Sequence, residues 1–71
     1  MDDVQDSQIR KLALKALAAS PIYTMRKLEV EQVGDSLVIT GRVPTFYQKQ
    51  MAQEIVRHAV SCDLVNSIDV D

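Results

Sequence analysis

The stretch Gly34-Asp35-Ser36-Leu37-Val38-Ile39-Thr40-Gly41-Arg42-Val43 decides the fold. Gly34-Asp35 supplies backbone freedom for a tight reversal. Leu37, Ile39, Gly41 and Val43 then recur at every second position, the period of a strand with one buried face. Immediately upstream, Arg26 to Gln32 alternates in the same way, with Leu28 and Val30 on one side and Lys27, Glu29 and Glu31 on the other. The two segments predict a hairpin whose glutamates face water. Gly41 falls on the inward set, where a residue without Cβ makes a bulge or admits a neighbouring element, and close packing of a helix is expected there.

Working outward, Ile9, Leu12, Ala13, Ala16 and Leu17 recur at three- and four-residue spacing and predict a helix from Asp6 or Ser7, with Arg10, Lys11 and Lys15 outward. Asp6 or Ser7 is expected to cap it, and Pro21 to end it, because the residue before a proline is pushed out of helical geometry. Residues 1–5 read as a disordered terminus and residues 6–71 as one domain. Pro21 to Met25 reads as a connector, with Ile22 and Tyr23 tucked against the core. On the other side of the hairpin, Pro44 ends the strand, and Thr45-Phe46-Tyr47-Gln48 fits a capping box in which Thr45 bonds forward and Gln48 back. The helix it opens carries Tyr47 or Gln48, Met51, Ala52, Ile55, Val56 and Ala59 on its inner face, with Lys49, Gln53, Glu54 and Arg57 outside, and ends near Val60. Leu64, Asn66, Ile68 and Val70 then alternate with Val65, Ser67 and Asp69, predicting a last strand.

A strand, helix, strand crossover in one sheet is right-handed and makes the last strand parallel to the second. The expectation is therefore an α+β fold: a small two-layer α/β sandwich of α-β-β-α-β order, two helices on one face of a three-stranded mixed sheet. Whether the last strand lies beside the first or the second is left open by the pattern. The other sheet face, with Lys27, Glu29, Glu31, Ser36, Val38, Thr40, Arg42, Val65, Ser67 and Asp69, reads as polar and exposed.

Seventy-one residues, 46% of them hydrophobic, suffice for one small core. A chain of about 60 residues buries only roughly 60% of its unfolded surface, which leaves no room for a buried substrate or large cofactor. Eight basic and ten acidic residues are interspersed, with a formal charge of -2, so the surface as a whole does not attract polyanions. The single cysteine, Cys62, cannot form an internal disulfide, so the chain is compatible with a reducing compartment and does not need an oxidising one. The acidic start Met1-Asp2-Asp3-Val4-Gln5-Asp6 has no basic and apolar regions of a secretory signal. The sequence as written reads as cytoplasmic, or as periplasmic or envelope-associated if it is an excised domain.

Asp6-x-x-Ile9 leading into Ala16-Leu17, Leu28-x-Val30, Leu37-x-Ile39-x-Gly41-x-Val43 and Leu64-x-Asn66-x-Ile68-x-Val70 together resemble the BON domain family, named from bacterial osmotic-shock-inducible and nodulation proteins. The resemblance runs from Asp6 to Val70, with Gly41 and Asn66 at structural family positions. It departs from the family in two turns: Gly34 precedes Asp35 where a polar residue then glycine is usual, and no glycine follows the second helix in Val60-Ser61-Cys62-Asp63. The resemblance implies an α-β-β-α-β fold, no catalytic motif and no cofactor. It further implies a binding module that attaches to phospholipid surfaces or to other envelope proteins. The same arrangement is similar to ring-building modules of bacterial secretion machinery, so protein association through a strand edge or the polar sheet face is the alternative.

The hairpin geometry brings Tyr23, Met25, Arg26 and Lys27 to the same end as Arg42, Pro44, Phe46, Tyr47 and Lys49, beside a helix N-terminus whose free amides favour an anion. Phe46 and Tyr47, with Arg26, Lys27, Arg42 and Lys49, are thus the candidate contact residues for a headgroup or an acidic partner. The competing expectation, given the usual burial of large side chains, is that the aromatic rings close the core and the cations are merely solvated. His58 and Cys62, followed by Asp63, have helical metal-ligand spacing, but zinc needs three or four ligands and no other His or Cys exists. Asn66 is expected to satisfy backbone groups. No nucleophile, base and orienting group occur in catalytic spacing, so no enzyme is expected. A KH-like nucleic-acid module is the remaining alternative; with Gly34 and Gly41 as the only glycines there is no GxxG loop, and the sheet face lacks stacking aromatics, so nucleic acid is not an expected partner.

Overall fold

The computed structural model describes the backbone of residues 2–71 and the side chains of residues 8–71. Its elements are α1 (Asp2–Ala18), α2 (Tyr23–Arg26), β1 (Glu29–Val33), β2 (Ser36–Val43), α3 (Phe46–Ala59) and β3 (Asp63–Val70). The sheet order is β1-β2-β3, with β1 and β2 antiparallel and β2 and β3 parallel, so the last strand lies beside the second. The long helices α1 and α3 pack on the inner sheet face. This is the α+β two-layer architecture that the periodicity predicts, and the position of β3 is now settled.

The hairpin closes as the turn residues dictate. Val33 pairs with Ser36, leaving Gly34-Asp35 as a two-residue loop in which Gly34 has φ of 60° and no non-glycine residue has positive φ. Positive φ at the first loop position alone is the arrangement of a type II′ turn, which needs glycine first. The reversed order of Gly34 and Asp35 therefore suits this hairpin.

Leu28, Val30, Leu37, Ile39, Val43 and Ile68 form the inner sheet surface and meet Ala13 and Leu17 of α1, Met25 of α2, and Ala52 and Val56 of α3. Helix α1 rests on the line Ile9, Ala13, Leu17 with Leu14 beside it, while Leu12, expected on the inner stripe, faces out. Leu12 and Leu14 flank that line on opposite sides, and the helix is rolled toward Leu14. Its backbone is helical from Asp2, earlier than the expected start at Asp6 or Ser7 and through residues 2–5, which read as a disordered terminus; the side chains of the expected caps, Asp6 and Ser7, lie outside the described residues.

Three further expectations are corrected. Residues 23–26, read as a connector and strand start, form a helical turn behind Ser20-Pro21, where the Ser20 hydroxyl accepts from Ile22 N–H at 3.1 Å. Gly41 admits no helix: with φ of 139°, its absent Cβ makes room for Leu28, whose Cδ2 would lie 2.6 Å from it. In the capping box, Thr45 Oγ1 accepts from Gln48 N–H at 3.1 Å as expected, but the Gln48 side chain accepts from Thr24 Oγ1 and so ties α2 to the first turn of α3.

Side chains occupy part of both free edges of the sheet. On β1, Arg10 Nε donates to Val30 O at 2.8 Å. On β3, Asp71 N–H donates to Val43 O at 3.0 Å, so odd-numbered residues turn toward β2 and the amides of Leu64, Asn66, Ile68 and Val70 face the outer edge. Asn66 Oδ1 accepts from the Ile68 amide at 3.2 Å. Unpaired edges template association, and these two bonds blunt them.

Candidate functional site

The end of the molecule where β1 begins and β2 ends gathers the residues singled out from the sequence. Tyr23, Phe46 and Tyr47 do not close the core there: they are 60%, 75% and 74% exposed. The expected burial of Tyr23 is overturned: Met25, not Tyr23, is the residue of α2 that is fully buried. Phe46 and Tyr47 occupy the first turn of α3, ahead of its inward line at Gln48, Ala52 and Val56, and so project past the edge of the sheet. Three aromatic rings on the surface of so small a domain are costly to leave in water. The Thr24–Gln48 hydrogen bond holds the Tyr23 and Tyr47 segments together.

The cations divide into two groups. Arg26 and Lys27 lie over the Tyr23 ring, with the guanidinium carbon 5.6 Å and the ammonium nitrogen 5.0 Å from its centroid, within cation–π range. Arg26 Nη1 also donates to Ser20 O at 3.0 Å, which fixes its direction. Hydrogen bonding to the Lys27 ammonium, and then its charge, hold the Tyr23 phenol below its ordinary pKa, and the same contact raises that of Lys27. Arg42 points to the opposite sheet face and pairs with Asp71 at 3.3 Å, both exposed. Its charge is therefore shared before any partner arrives. Lys49 is half-buried on α3 beside β3, its carbonyl accepting from Asn66 Nδ2 at 2.9 Å. Of the six contact candidates, Arg26, Lys27, Phe46 and Tyr47 share the end of the molecule, while Lys49 and Arg42 flank it on the helix and sheet sides.

Sequence reasoning placed Tyr23 at this end but left it out of the contact set. The signal was present: Tyr23 and Lys27 are four apart directly after Ser20-Pro21, a helix-start signature. Thr45 satisfies one amide of the first turn of α3, and the amides of Phe46 and Tyr47 precede the first intrahelical bond, from Lys49 N–H to Thr45 O. Donors, cations and exposed rings thus adjoin one another, a combination that can receive an anionic, partly apolar surface.

The other singled-out residues have internal partners. Asn66 Nδ2 bonds Lys49 O and also Gln53 Oε1 at 3.2 Å, so this side chain fastens β3 to α3. His58 Nδ1 lies 2.7 Å from Glu54 O, and among the described residues no group of three or more His, Cys, Asp or Glu is placed to hold a metal. Among the described residues no helix is long and apolar enough to cross a membrane.

Burial, then the neighbouring Asp63 carboxylate, push the Cys62 thiol above its ordinary pKa against a backbone hydrogen bond from Leu37. The folded state therefore keeps this proton when the unfolded chain has already lost it. That contribution to stability is complete below the ordinary thiol pKa and is lost as pH rises through the folded value. We expect the Cys62 thiol to react with a disulfide reagent at pH 8 more slowly in the folded protein than in the urea-unfolded chain, and Asp63→Asn to narrow the gap. Equal rates in the two states would contradict the placement.

Comparison with protein-family models and with curated proteins finds no match for this chain.

Proposed function

We propose that this domain is a non-enzymatic binding module of the BON type whose aromatic and basic end attaches to an anionic phospholipid surface, with docking to another envelope protein as the alternative use of the same end. The observation that carries this reading is the exposure of Tyr23, Phe46 and Tyr47 beside Arg26 and Lys27. Aromatic rings settle at a membrane interface and cations at anionic headgroups, each cation near such a surface contributing about 1 kcal/mol. The formal charge of -2 makes this attraction local to the end of the molecule.

A protein-association or ring-building role remains the second reading. The blunted β1 and β3 edges, at Val30 O and Ile68 N–H, direct it to the faces of the molecule rather than its edges.

Co-sedimentation with neutral and anionic liposomes at low and moderate salt tests the membrane reading. We expect binding to anionic vesicles, weakened by salt, by Lys27→Ala/Lys49→Ala, and about tenfold or more by Phe46→Ser/Tyr47→Ser. No binding to anionic vesicles at low salt would sink the membrane reading and leave association.

A further inference from the structure

We infer that the open sheet face is a docking surface for a second copy of this chain, which presents to it the outer face of α1 carrying Lys11, Leu12 and Lys15. No element of the described chain covers this sheet face. The pairing register arranges its side chains in rows: Val33–Ser36–Asp63, Glu31–Val38–Val65, Glu29–Thr40–Ser67 and Arg42–Asp69. Val33 and Val65 are 54% and 46% exposed, and Glu29, Glu31, Asp63 and Asp69 are exposed around them. Of the two cations expected on this face, Lys27 caps α2 and lies over the Tyr23 ring, and Arg42 is already paired with Asp71. The face is therefore acidic with an apolar centre.

The helical side of the molecule carries the complement. Gln8, Lys11, Leu12 and Lys15 line a shallow apolar depression of about 350 Å³ on α1, with Leu12 50% exposed. Among residues 8–18 of α1, whose side chains are described, none is acidic, and no ion pair to Lys11 or Lys15 forms among the described residues; the aspartates of this helix, Asp2, Asp3 and Asp6, lie in its first turns. An exposed leucine between two lysines matches exposed valines between carboxylates, in hydrophobicity and in sign. Because the helices and the open face lie on opposite sides of the sheet, one copy can use both surfaces at once. The contact is head-to-tail, and it propagates as a ring or an open chain. It is independent of the aromatic end.

The face is small. Three strands at about 4.8 Å spacing and about 3.3 Å per residue present on the order of 300–400 Å², below the roughly 800 Å² per partner of a stable complex. The association is accordingly weak and is seen at concentrations on the order of 0.1–1 mM.

Sedimentation velocity on the whole chain at low salt, from about 10 µM to about 1 mM, tests this. We expect the average sedimentation coefficient to rise with concentration and to fall back at about 500 mM salt. Lys11→Glu/Lys15→Glu and Glu29→Lys/Glu31→Lys, each checked for native circular dichroism, stay monomeric alone, because each presents like charges across the contact. An equimolar mixture of the two regains association, since each reversed face then meets the opposite sign. Phe46→Ser/Tyr47→Ser associates as the wild type does. A wild type that stays monomeric at the highest concentration overturns the proposal; so does a mixture that fails to associate, or loss of association in the aromatic variant.

Discussion

Valine in place of Gly41 is expected to destabilise the domain by about 2–6 kcal/mol, as two separate penalties of roughly 1–3 kcal/mol each. The first is backbone strain: Gly41 has φ of 139°, a conformation that a β-branched residue does not adopt without cost. The second is overlap, because a Cβ at this position would lie 2.6 Å from Leu28 Cδ2 and 3.5 Å from Leu28 Cα. A domain of this length has a total stability of roughly 4–10 kcal/mol, so the variant populates the unfolded state heavily or entirely. Gly34 is the control. It has φ of 60° with nothing within 4 Å of its virtual Cβ, so Gly34→Ala carries only the positive-φ backbone penalty of about 1–3 kcal/mol and no overlap. Urea denaturation should give midpoints in the order wild type, Gly34→Ala, Gly41→Val. If Gly41→Val matched the wild type, the close approach of Leu28 would be disproved.

Truncation of Ile39 to alanine is expected to cost about 2–5 kcal/mol. Ile39 is fully buried on the central strand, opposite Val30 on one side and Asn66 on the other, with sheet on both flanks and helices above. So enclosed a site cannot collapse onto the space left behind, which places the loss toward the upper part of that range. The informative comparison is Phe46→Ser, which removes a larger side chain yet should shift stability by no more than about 0.5 kcal/mol, because the ring is 75% exposed. Chemical denaturation of the two variants would separate a core isoleucine from a surface phenylalanine. A Phe46→Ser cost comparable to that of Ile39→Ala would return Phe46 to the core and remove it from the candidate contact surface.

Much of the fold was legible because it depends on neighbours along the chain. Alternation through Leu37, Ile39 and Val43 places one face of a strand inward whatever it pairs with, and Gly34-Asp35 turns the chain within two residues. Thr45 caps α3 through an amide three residues on, and the crossover rule orients β3 before its position is known. The candidate site was half legible: hairpin geometry brought Tyr23, Arg26 and Lys27 to the end that Phe46 and Tyr47 share. Composition then argued for burying the rings that the structure leaves outside.

What only the tertiary structure decided are the choices between locally equivalent options. Leu12 and Leu14 flank the inner line of α1 equally, and packing against α3 and β1 turned the helix toward Leu14. Gln48 could have closed the capping box, but α2 brought Thr24 within reach. Gly41 could have met a helix or a strand, and the register of β1 supplied Leu28. Tyr23, Phe46 and Tyr47 could have sealed the core, but Met25, Val43 and Val56 had already filled it. By itself the sequence determined periods, turns and caps, whose energies are local. Strand order, helix roll and the exposure of the aromatic end followed from which side chains fill a close-packed interior first, a property of the assembled layers.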